Sequence, residues 1–214
     1  MKKLILIGDS GHAKVIEHIA VRANWNVIAK LDDKYIESKV DSKGQFKGPT
    51  SMISSLLDED TYILIAIGAN RVRKFIFEKL HVPLEKYAIL IDPSAIISED
   101  AAVGYGTCIM PNSVVNPASK IGNHVILNTR CVVEHDNIIE DFVHISPGST
   151  LTGNVKVEEG CHIGAGATLI PNINVGSWSV VGAGSTVIKN VESDVTVVGS
   201  PSRVLINAMG GRNS

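Results

Sequence analysis

Every sixth residue from Ile91 to Val187 is isoleucine, leucine or valine, and the run of seventeen such positions has no break. A period of six fits neither an α-helix, with about 3.6 residues per turn, nor a simple alternating strand. The residue four places after the aliphatic is usually small or β-branched, as in Thr107 and Ser113. Three hexads close one triangular coil, and such coils stack through parallel strands. The sequence therefore predicts a hexapeptide β-helix with a C-terminal tail over residues 91–214.

Residues 1–90 do not follow the six-residue repeat. An apolar run, a glycine loop and apolar residues at helical spacing open the chain, which predicts a strand, a tight loop and a helix. Two further strands are predicted to end before Asp32 and Gly68, and a short one leads into the repeat. Alternating strands and helices on this scale predict a small Rossmann-like domain of the α/β class with a parallel sheet.

The helix predicted after the third strand is expected to start at Asn70, whose side chain can cap it. Its apolar side is expected to carry Val72, Phe75, Ile76 and Leu80. The charged, glycine-containing segment 34–48 is interpreted as a loop close to substrate.

The carboxyl ends of parallel strands are where ligands of such sheets bind. Backbone amides of a glycine loop that opens a helix also form a seat for phosphate, so a nucleotide or a nucleotide sugar fits there. The loop lacks the three glycines of the dinucleotide fingerprint, which argues against a nicotinamide cofactor. The alternative is that the glycines only permit a turn and the aspartates are solvated. The candidate substrate-binding residues are Gly8, Ser10, Gly11, His12, Asp32, Asp33, Gly68 and Asn70.

Net charge and cysteine content indicate which kind of ligand the protein binds and in which cellular compartment it works. A formal net charge of -2 argues against nucleic acid or an anionic membrane as the main partner, and favours small-molecule ligands. The three cysteines all lie in the repeat, and an odd number predicts free thiols in a reducing compartment. Residues 1–7 are too short an apolar run for a signal peptide or a membrane span, so a cytoplasmic protein is expected.

Two histidines stand out among the seven. His135 precedes Asp136, and His144 follows nine residues later, which is half of an eighteen-residue coil. The two imidazoles are therefore expected on different sides of one triangular prism. In a three-fold trimer, one side of a subunit faces a different side of its neighbour, so His135 of one chain can approach His144 of the next. Flat solenoid faces favour such a homotrimer.

An imidazole beside a carboxylate is the arrangement that a general base needs, because the carboxylate fixes the tautomer and stabilises the imidazolium. The alternative is that His135 and Asp136 are exposed corner residues without mutual contact. Zinc is a further alternative for the histidines, but the spacing of His124, His135, His144 and His162 does not resemble that of hexapeptide-repeat carbonic anhydrases. No metal site is expected.

Six short segments of the chain form a recognisable set: GDSGH at 8–12, LDD at 31–33, AIGAN at 66–70, LNT at 127–129, HD at 135–136 and VGSPSR at 198–203. Together they resemble the sialic acid O-acetyltransferase-like family, and within it bacterial enzymes that N-acetylate a 4-amino-4,6-dideoxy sugar carried on UDP. The likeness covers the whole chain. The resemblance implies that the β-helix is left-handed and that acetyl-CoA is the co-substrate.

The resemblance also implies roles for individual residues. His135 is the base that takes the proton from the attacking amine, and Asp136 supports it where many relatives carry glutamate. His144 contacts the acetyl group or the tetrahedral species. Asp9 departs from the family pattern, because its carboxylate would repel a pyrophosphate unless it points away or caps the helix. Acetyl-CoA is expected to lie along the coils. Its expected contacts are His144, Gly153, Ala165 and Ala183.

Two other functions remain open from the sequence. One keeps the acetyl donor and changes the acceptor to a sugar hydroxyl, as in O-acetylation of sialic acid-like compounds. The other is a non-catalytic scaffold, in which the solenoid serves assembly and the first domain senses a nucleotide.

Overall fold

The computed structural model describes residues 2–205, so the tail expected after residue 205 lies outside the described residues. The chain begins with an α/β unit built on one five-stranded sheet of order β3-β4-β2-β1-β5. β1 pairs in parallel with β2 and β5, β2 pairs in parallel with β4, and only β3 is antiparallel to its neighbour. The strands are β1 Lys3–Ile7, β2 Asn26–Leu31, β3 Lys39–Val40, β4 Phe46–Gly48 and β5 Thr61–Ile65.

Three helices accompany this sheet: α1 Gly11–Arg22, α2 Ile53–Leu56 and α3 Asn70–Leu80. Short 3-10 turns at Thr50–Met52 and Leu84–Lys86 complete the connections. The prediction of a loop over 34–48 was wrong in part, because β3 and β4 lie within it and β4 extends the sheet. Both strands are too short to show a period in the sequence. Within residues 2–205, no helix is long and apolar enough to cross a membrane.

The rest of the described chain forms the predicted left-handed parallel β-helix of three faces. Face one has eight strands, face two has six and face three has five. Face one contains β6 Leu90–Ile91, β9 Cys108–Ile109, β12 Ile126–Leu127, β15 His144–Ile145, β18 His162–Ile163, β21 Val180–Val181, β23 Thr196–Val198 and β24 Arg203–Val204. Face two contains β7 Ile96–Ile97, β10 Val114–Val115, β13 Val132–Val133, β16 Thr150–Leu151, β19 Thr168–Leu169 and β22 Thr186–Val187. Face three contains β8 Ala102–Val103, β11 Lys120–Ile121, β14 Ile138–Ile139, β17 Lys156–Val157 and β20 Asn174–Val175.

The hexad aliphatics point into the prism, as the period predicts. Val115, Val133, Leu151 and Leu169 pair in register down face two, eighteen residues apart, and all four are buried. The small inward residues are buried as well, and several are hydroxyls. The Oγ of Ser113, for example, donates to the carbonyl of Asn128 at 2.8 Å. A serine therefore fits this core because its hydroxyl satisfies a corner carbonyl of the next coil.

One corner of the β-helix, between faces three and one, carries large rings where the coils meet the α/β unit. Residues at this corner have positive φ, and the column reads His124, Phe142, Gly160 and Trp178 at intervals of one coil. The rings of His124 and Phe142 are stacked with centroids 5.1 Å apart. Phe77 of α3 packs on both, at 4.6 and 5.8 Å between centroids. Phe77, His124 and Phe142 thus form one part of the contact between the α/β unit and the β-helix.

Helix α3 packs on this column with the face that its sequence did not indicate. Phe75 is 62% exposed and Val72 is also exposed, whereas Arg73 is 1% exposed. The predicted apolar side was therefore wrong for these two residues. Asn70 is the first residue of α3 and makes no capping bond, because Ala69 occupies the N-cap position.

Candidate functional site

His135 and Asp136 lie at the corner between faces two and three, just after β13. The Nδ1 atom of His135 is 2.7 Å from Oδ2 of Asp136. A carboxylate only accepts hydrogen bonds, so Nδ1 carries the proton and Nε2 remains a proton acceptor. The two side chains are 62% and 58% exposed. The contact removes the alternative in which these neighbours do not touch, and the pair presents an oriented, accessible imidazole.

Gly153 lies one coil above His135 and gives the imidazole its room. A Cβ at position 153 would lie 2.5 Å from Cε1 and 2.7 Å from Nε2 of His135. Any side chain there would displace the ring. The glycine predicted to contact acetyl-CoA therefore has a direct structural relation to the predicted base.

His144 lies in β15 on face one, in a second group of polar residues. Its Nε2 is 3.0 Å from Nδ2 of Asn128, whose Oδ1 accepts from the amide of Thr129. That bond fixes Nδ2 as the donor, so the proton of His144 is on Nδ1. The ring of His162 stacks on His144 with centroids 4.8 Å apart, and its Nε2 is 2.8 Å from Oγ of Ser146.

The imidazoles in this second group are held in the neutral form. Burial lowers the pKa of His144 to about 3, assisted by the repulsion that His162, Arg73 and His12 exert when they are protonated. Burial and the charge of Arg73 lower the pKa of His12 to about 4. Both histidines can therefore exchange hydrogen bonds at neutral pH without adding charge to the site.

The fold requires glycine at only some of the glycine positions at the carboxyl ends of the strands. Gly8 has φ +104°, and a Cβ there would lie 2.9 Å from Cγ1 of Ile67, so the fold itself demands glycine. At Gly11 and Gly68 a Cβ would meet nothing within 4 Å. These two glycines border open space next to His12 and His144, which is the kind of opening that a ligand can occupy.

The aspartates after β2 are already engaged by the protein. Oδ2 of Asp32 accepts from the amide of Asp9 at 2.8 Å, and Oδ1 of Asp33 accepts from the amide of Thr50 at 2.9 Å. Hydrogen bonds from Thr50 lower the pKa of Asp33. Asp32 is thereby fixed directly beside the glycine loop, whereas Asp33 stabilises the chain after β4. Ser10 is exposed at the N-cap of α1 and makes no side-chain capping bond.

Asp9 points away from the glycine loop. Its Oδ2 is 2.7 Å from Nζ of Lys47 and 2.5 Å from the hydroxyl of Tyr35, and its Oδ1 is 3.5 Å from Nζ of Lys30. Burial raises the pKa of this carboxyl, but the bonds from Lys47 and Tyr35 outweigh it and bring the pKa to about 2. The departure from the family pattern is therefore compensated by two nearly buried lysines, and the carboxylate is not aimed at the phosphate seat.

Both polar atoms of the Asn70 side chain form hydrogen bonds within the protein. Its Nδ2 donates to the carbonyls of Gly160 and Cys161, and its Oδ1 accepts from Arg73. It lies near the predicted nucleotide site, but its amide bonds the β-helix. Its prediction as a substrate ligand therefore gains no support from its contacts.

The remaining predicted contacts to acetyl-CoA fall on the side of His144. Ala165 and Ala183 are exposed and stack at the corner between faces one and two, where the amide of Gly184 donates to the carbonyl of Ala165. Gly153 lies at the other end of face two, beside His135. One chain thus carries the predicted catalytic and acetyl-CoA residues in two groups on different sides of the prism, one around His135 and one around His144.

Sequence reasoning missed three residues that lie beside the predicted site residues. His162 looked like an unpaired histidine, although its position one coil above His144 was a usable signal. Arg73 carried no signal in the sequence. Lys34 lies beside Asp32 and its Nζ contacts the carbonyl of Asp9. In residues 2–205, no three His, Cys, Asp or Glu side chains are arranged to bind a metal ion.

A Rossmann-like unit packed on a hexapeptide β-helix, with an exposed histidine–carboxylate pair, defines the class of hexapeptide-repeat acyltransferases. Residues 3–80 match the family described as the PglD N-terminal domain. The chain is 36% identical to the acetyltransferase domain of PglB from Neisseria gonorrhoeae FA1090, solved with acetyl coenzyme A. The TM-score is 0.87, with 95% of this chain and 99% of that one covered. This chain belongs to the PglB/PglD family of hexapeptide-repeat acetyltransferases.

Two other relatives bear on substrate class. A UDP-N-acetylbacillosamine N-acetyltransferase from Bacillus subtilis (strain 168) is 44% identical over 113 residues, which is 51% of this chain and 52% of that protein. The match thus spans about half the length of the curated relative. A perosamine N-acetyltransferase from Caulobacter crescentus, solved as a histidine-to-asparagine variant with CoA and GDP-perosamine, is 28% identical. Its TM-score is 0.86, with 97% of this chain and 98% of that one covered.

Proposed function

We propose that this protein transfers the acetyl group of acetyl-CoA to the 4-amino group of a nucleotide-linked 4-amino-4,6-dideoxy sugar, with UDP as the nucleotide. The observation that carries the proposal is the His135–Asp136 pair, an exposed imidazole whose Nε2 is free to accept a proton. The relatives supply the substrate class, because they are named for N-acetylation of such sugars. UDP is chosen because the more similar of these two relatives is named for a UDP sugar.

In this mechanism the acceptor amine attacks the thioester carbonyl directly. Nε2 of His135 takes the proton that the amine loses, and Asp136 stabilises the resulting imidazolium through Nδ1. The tetrahedral species then collapses, the C–S bond breaks, and the imidazolium returns the proton to the leaving CoA thiolate. His144, held neutral, contacts the acetyl group without adding charge to the site. Binding both substrates in one cleft supplies much of the rate by proximity.

The nucleotide end of the sugar is assigned to the open glycine loop, with its phosphates at the N-terminus of α1. Gly8, Ser10, Gly11, His12, Asp32, Asp33 and Gly68 border this site. Acetyl-CoA is assigned to the coils next to Ala165 and Ala183, and to Gly153 across the cleft. The division into a nucleotide-sugar domain at 1–90 and an acetyltransferase domain at 91–214 follows from these assignments.

A homotrimer in the cytoplasm is part of the proposal. His135 and His144 lie on different sides of one prism, so each side of a single chain carries only half of the proposed site. We call the two groups of residues around His135 and His144 half-sites. A three-fold arrangement brings face one of one copy toward the His135 corner of the next, which completes the site.

The test is an acceptor panel with acetyl-CoA and a thiol-reactive dye. The panel contains a UDP-4-amino-4,6-dideoxy sugar, its GDP counterpart, the free amino sugar and a free sialic acid. The proposal predicts CoA release with the UDP sugar, and at least about tenfold lower kcat/KM without the nucleotide, because remote binding energy is lost. Preference for the free sialic acid would favour O-acetylation. No CoA release with any acceptor would favour the non-catalytic scaffold.

A further inference from the structure

Arg73 is the most deeply buried lysine or arginine among the residues that the structure describes, and no carboxylate there pairs with it. Its side chain leaves α3 and enters the contact between the α/β unit and the β-helix, where it is 1% exposed. Burial lowers the pKa of Arg73 to about 9, which still leaves the guanidinium protonated at neutral pH. A buried positive charge is costly unless polar groups replace the water that it has lost.

Backbone carbonyls replace that water, and they come from both parts of the molecule. On the α/β side, Nη1 donates to the carbonyls of Ile67 and Gly68 at 3.1 and 3.2 Å. On the β-helix side, Nε donates to the carbonyl of His124 at 2.8 Å and Nη2 to that of Phe142 at 2.7 Å. The planar guanidinium of Arg73 thus joins the loop after β5 to two successive coils.

Asn70 extends the same connection by one coil. Its amide bonds the carbonyls of Gly160 at 3.0 Å and Cys161 at 2.9 Å, and its Oδ1 accepts from Nη2 of Arg73 at 3.0 Å. We call Arg73 and Asn70 the Arg73–Asn70 clamp. The coil segments that it bonds end directly before His144 and His162, and the loop that it bonds contains Gly68.

We propose that the Arg73–Asn70 clamp positions the acetyl-transfer site, because it sets the distance between the loop at Gly68 and the coil that carries His144. The inference rests on the proposed function, in which the amino sugar is bound by the α/β unit and the acetyl group by the β-helix. A shift of about 1 Å between reacting groups can cost about 10²-fold in rate. A joint that is packed only by apolar side chains would leave this distance less defined.

The charge of the clamp has a second effect on the same residues. Next to burial, the charge of Arg73 contributes to the lowered pKa of His12, His144 and His162. The groups that face His144 are His12, His162 and Arg73, the amide of Asn128 and the backbone of Gly68. Among residues 2–205, no carboxylate belongs to this set. The clamp therefore also favours the neutral imidazoles of the half-site.

The experiment compares Arg73→Met, Arg73→Lys and Asn70→Ala with Arg22→Met. Arg22 also joins the two parts of the molecule, through a bond of 2.8 Å from its Nε to Asp92, and it takes no part in the proposed site. We expect Arg73→Met to lower kcat by about 10²-fold and to leave KM for acetyl-CoA within about twofold. Arg73→Lys and Asn70→Ala should lower kcat by about tenfold, whereas Arg22→Met should leave it unchanged.

A titration of the imidazoles by NMR gives a readout that needs no substrate. In protein labelled at histidine, Arg73→Met should move the titration of His144 and His162 to higher pH, and Arg73→Lys should not, because lysine keeps the charge. If Arg73→Met does not fold, the lysine and Asn70 variants carry the test. Wild-type kcat in both of those variants, or an equal loss in Arg22→Met, would overturn the inference. An inactive wild-type protein would refute the proposed function, and the titration would still decide whether Arg73 acts on the imidazoles.

Discussion

The β-helix and the α/β unit reach a defined structure by different routes. In the β-helix, each coil packs on a copy of its own pattern, so the sequence period alone decides which residues face inward. In the α/β unit, α3 packs on an unlike surface, and there Arg73 is buried while Phe75 is exposed. Self-similar packing is therefore encoded locally, whereas packing between unlike parts depends on both surfaces. We call the β-helix the regular part and the α/β unit the irregular part. In the proposed reaction, the regular part carries the general base and the irregular part binds the sugar that accepts the acetyl group.

The largest expected effect concerns the base on the regular part. Replacing His135 by alanine should lower kcat/KM by about 10²–10⁴-fold, because the proton of the amine loses its acceptor. The matched control is His81→Asn, at an exposed histidine that ends α3 in a left-handed conformation which asparagine tolerates. Steady-state CoA release measures both variants. Near-normal turnover without His135 would remove the assignment.

The next effect tests whether the six-residue period alone determines which side chains of the β-helix face inward. Leu151 and Ile138 are both aliphatic strand residues of the β-helix, but Leu151 is 0% exposed and Ile138 is 43% exposed. Leu151→Ala should lower the free energy of unfolding by about 2–5 kcal/mol, since it leaves a cavity. Ile138→Ala should lower it by less than about 1 kcal/mol. Urea unfolding monitored by circular dichroism compares the two, and equal losses would contradict the inward assignment.

A smaller effect concerns charge in the irregular part. Asp9 has a pKa of about 2 in the folded protein against an ordinary 3.8, so its ion pairs stabilise the fold above pH 4. That contribution is lost as the pH falls from about 4 to about 2, and it amounts to about 2 kcal/mol. Asp9→Asn should remove this part of the pH dependence. Unfolding free energies at pH 6 and pH 2.5 measure it, and an unchanged slope in the variant would exclude the network as its source.

The smallest effect concerns the space beside the base. Gly153→Ala should lower kcat by about tenfold, about 1.4 kcal/mol, because the new methyl group displaces the His135 ring. In a His135→Ala background the same substitution should cost nothing further, since the ring is gone. A double-mutant cycle on kcat separates this contact from a general disturbance of the coil. Additive losses would show that Gly153 acts independently of His135.

Residue identity at fixed spacing was sufficient to predict the β-helix, its inward columns and the strand ends that carry Gly8 and Asp32. These features depend on neighbours in the chain or on a strict repeat, and both are visible in one sequence. Spacing alone left open whether His135 and Asp136 touch, and their catalytic roles came from the family resemblance.

The sequence did not reveal the clamp, the strands β3 and β4, or the buried side of α3. Arg73 is buried because carbonyls of three distant segments converge on it, and carbonyls have no sequence signature. The aromatic corner was closer to being predictable. His124, Phe142 and Trp178 recur at multiples of eighteen residues, so a column of rings on one corner marks a docking surface for another part of the chain.

The most direct test of the central claim is a subunit-mixing experiment with His135→Ala and His144→Ala. If the site is shared between copies, each variant alone is inactive, and mixed trimers formed at equal concentrations regain about a quarter of the wild-type rate. That fraction follows because a working cleft needs an intact His135 from one copy and an intact His144 from its neighbour. A mixture no more active than its separate components, under conditions where exchange of subunits is verified by mass spectrometry, would contradict the shared site.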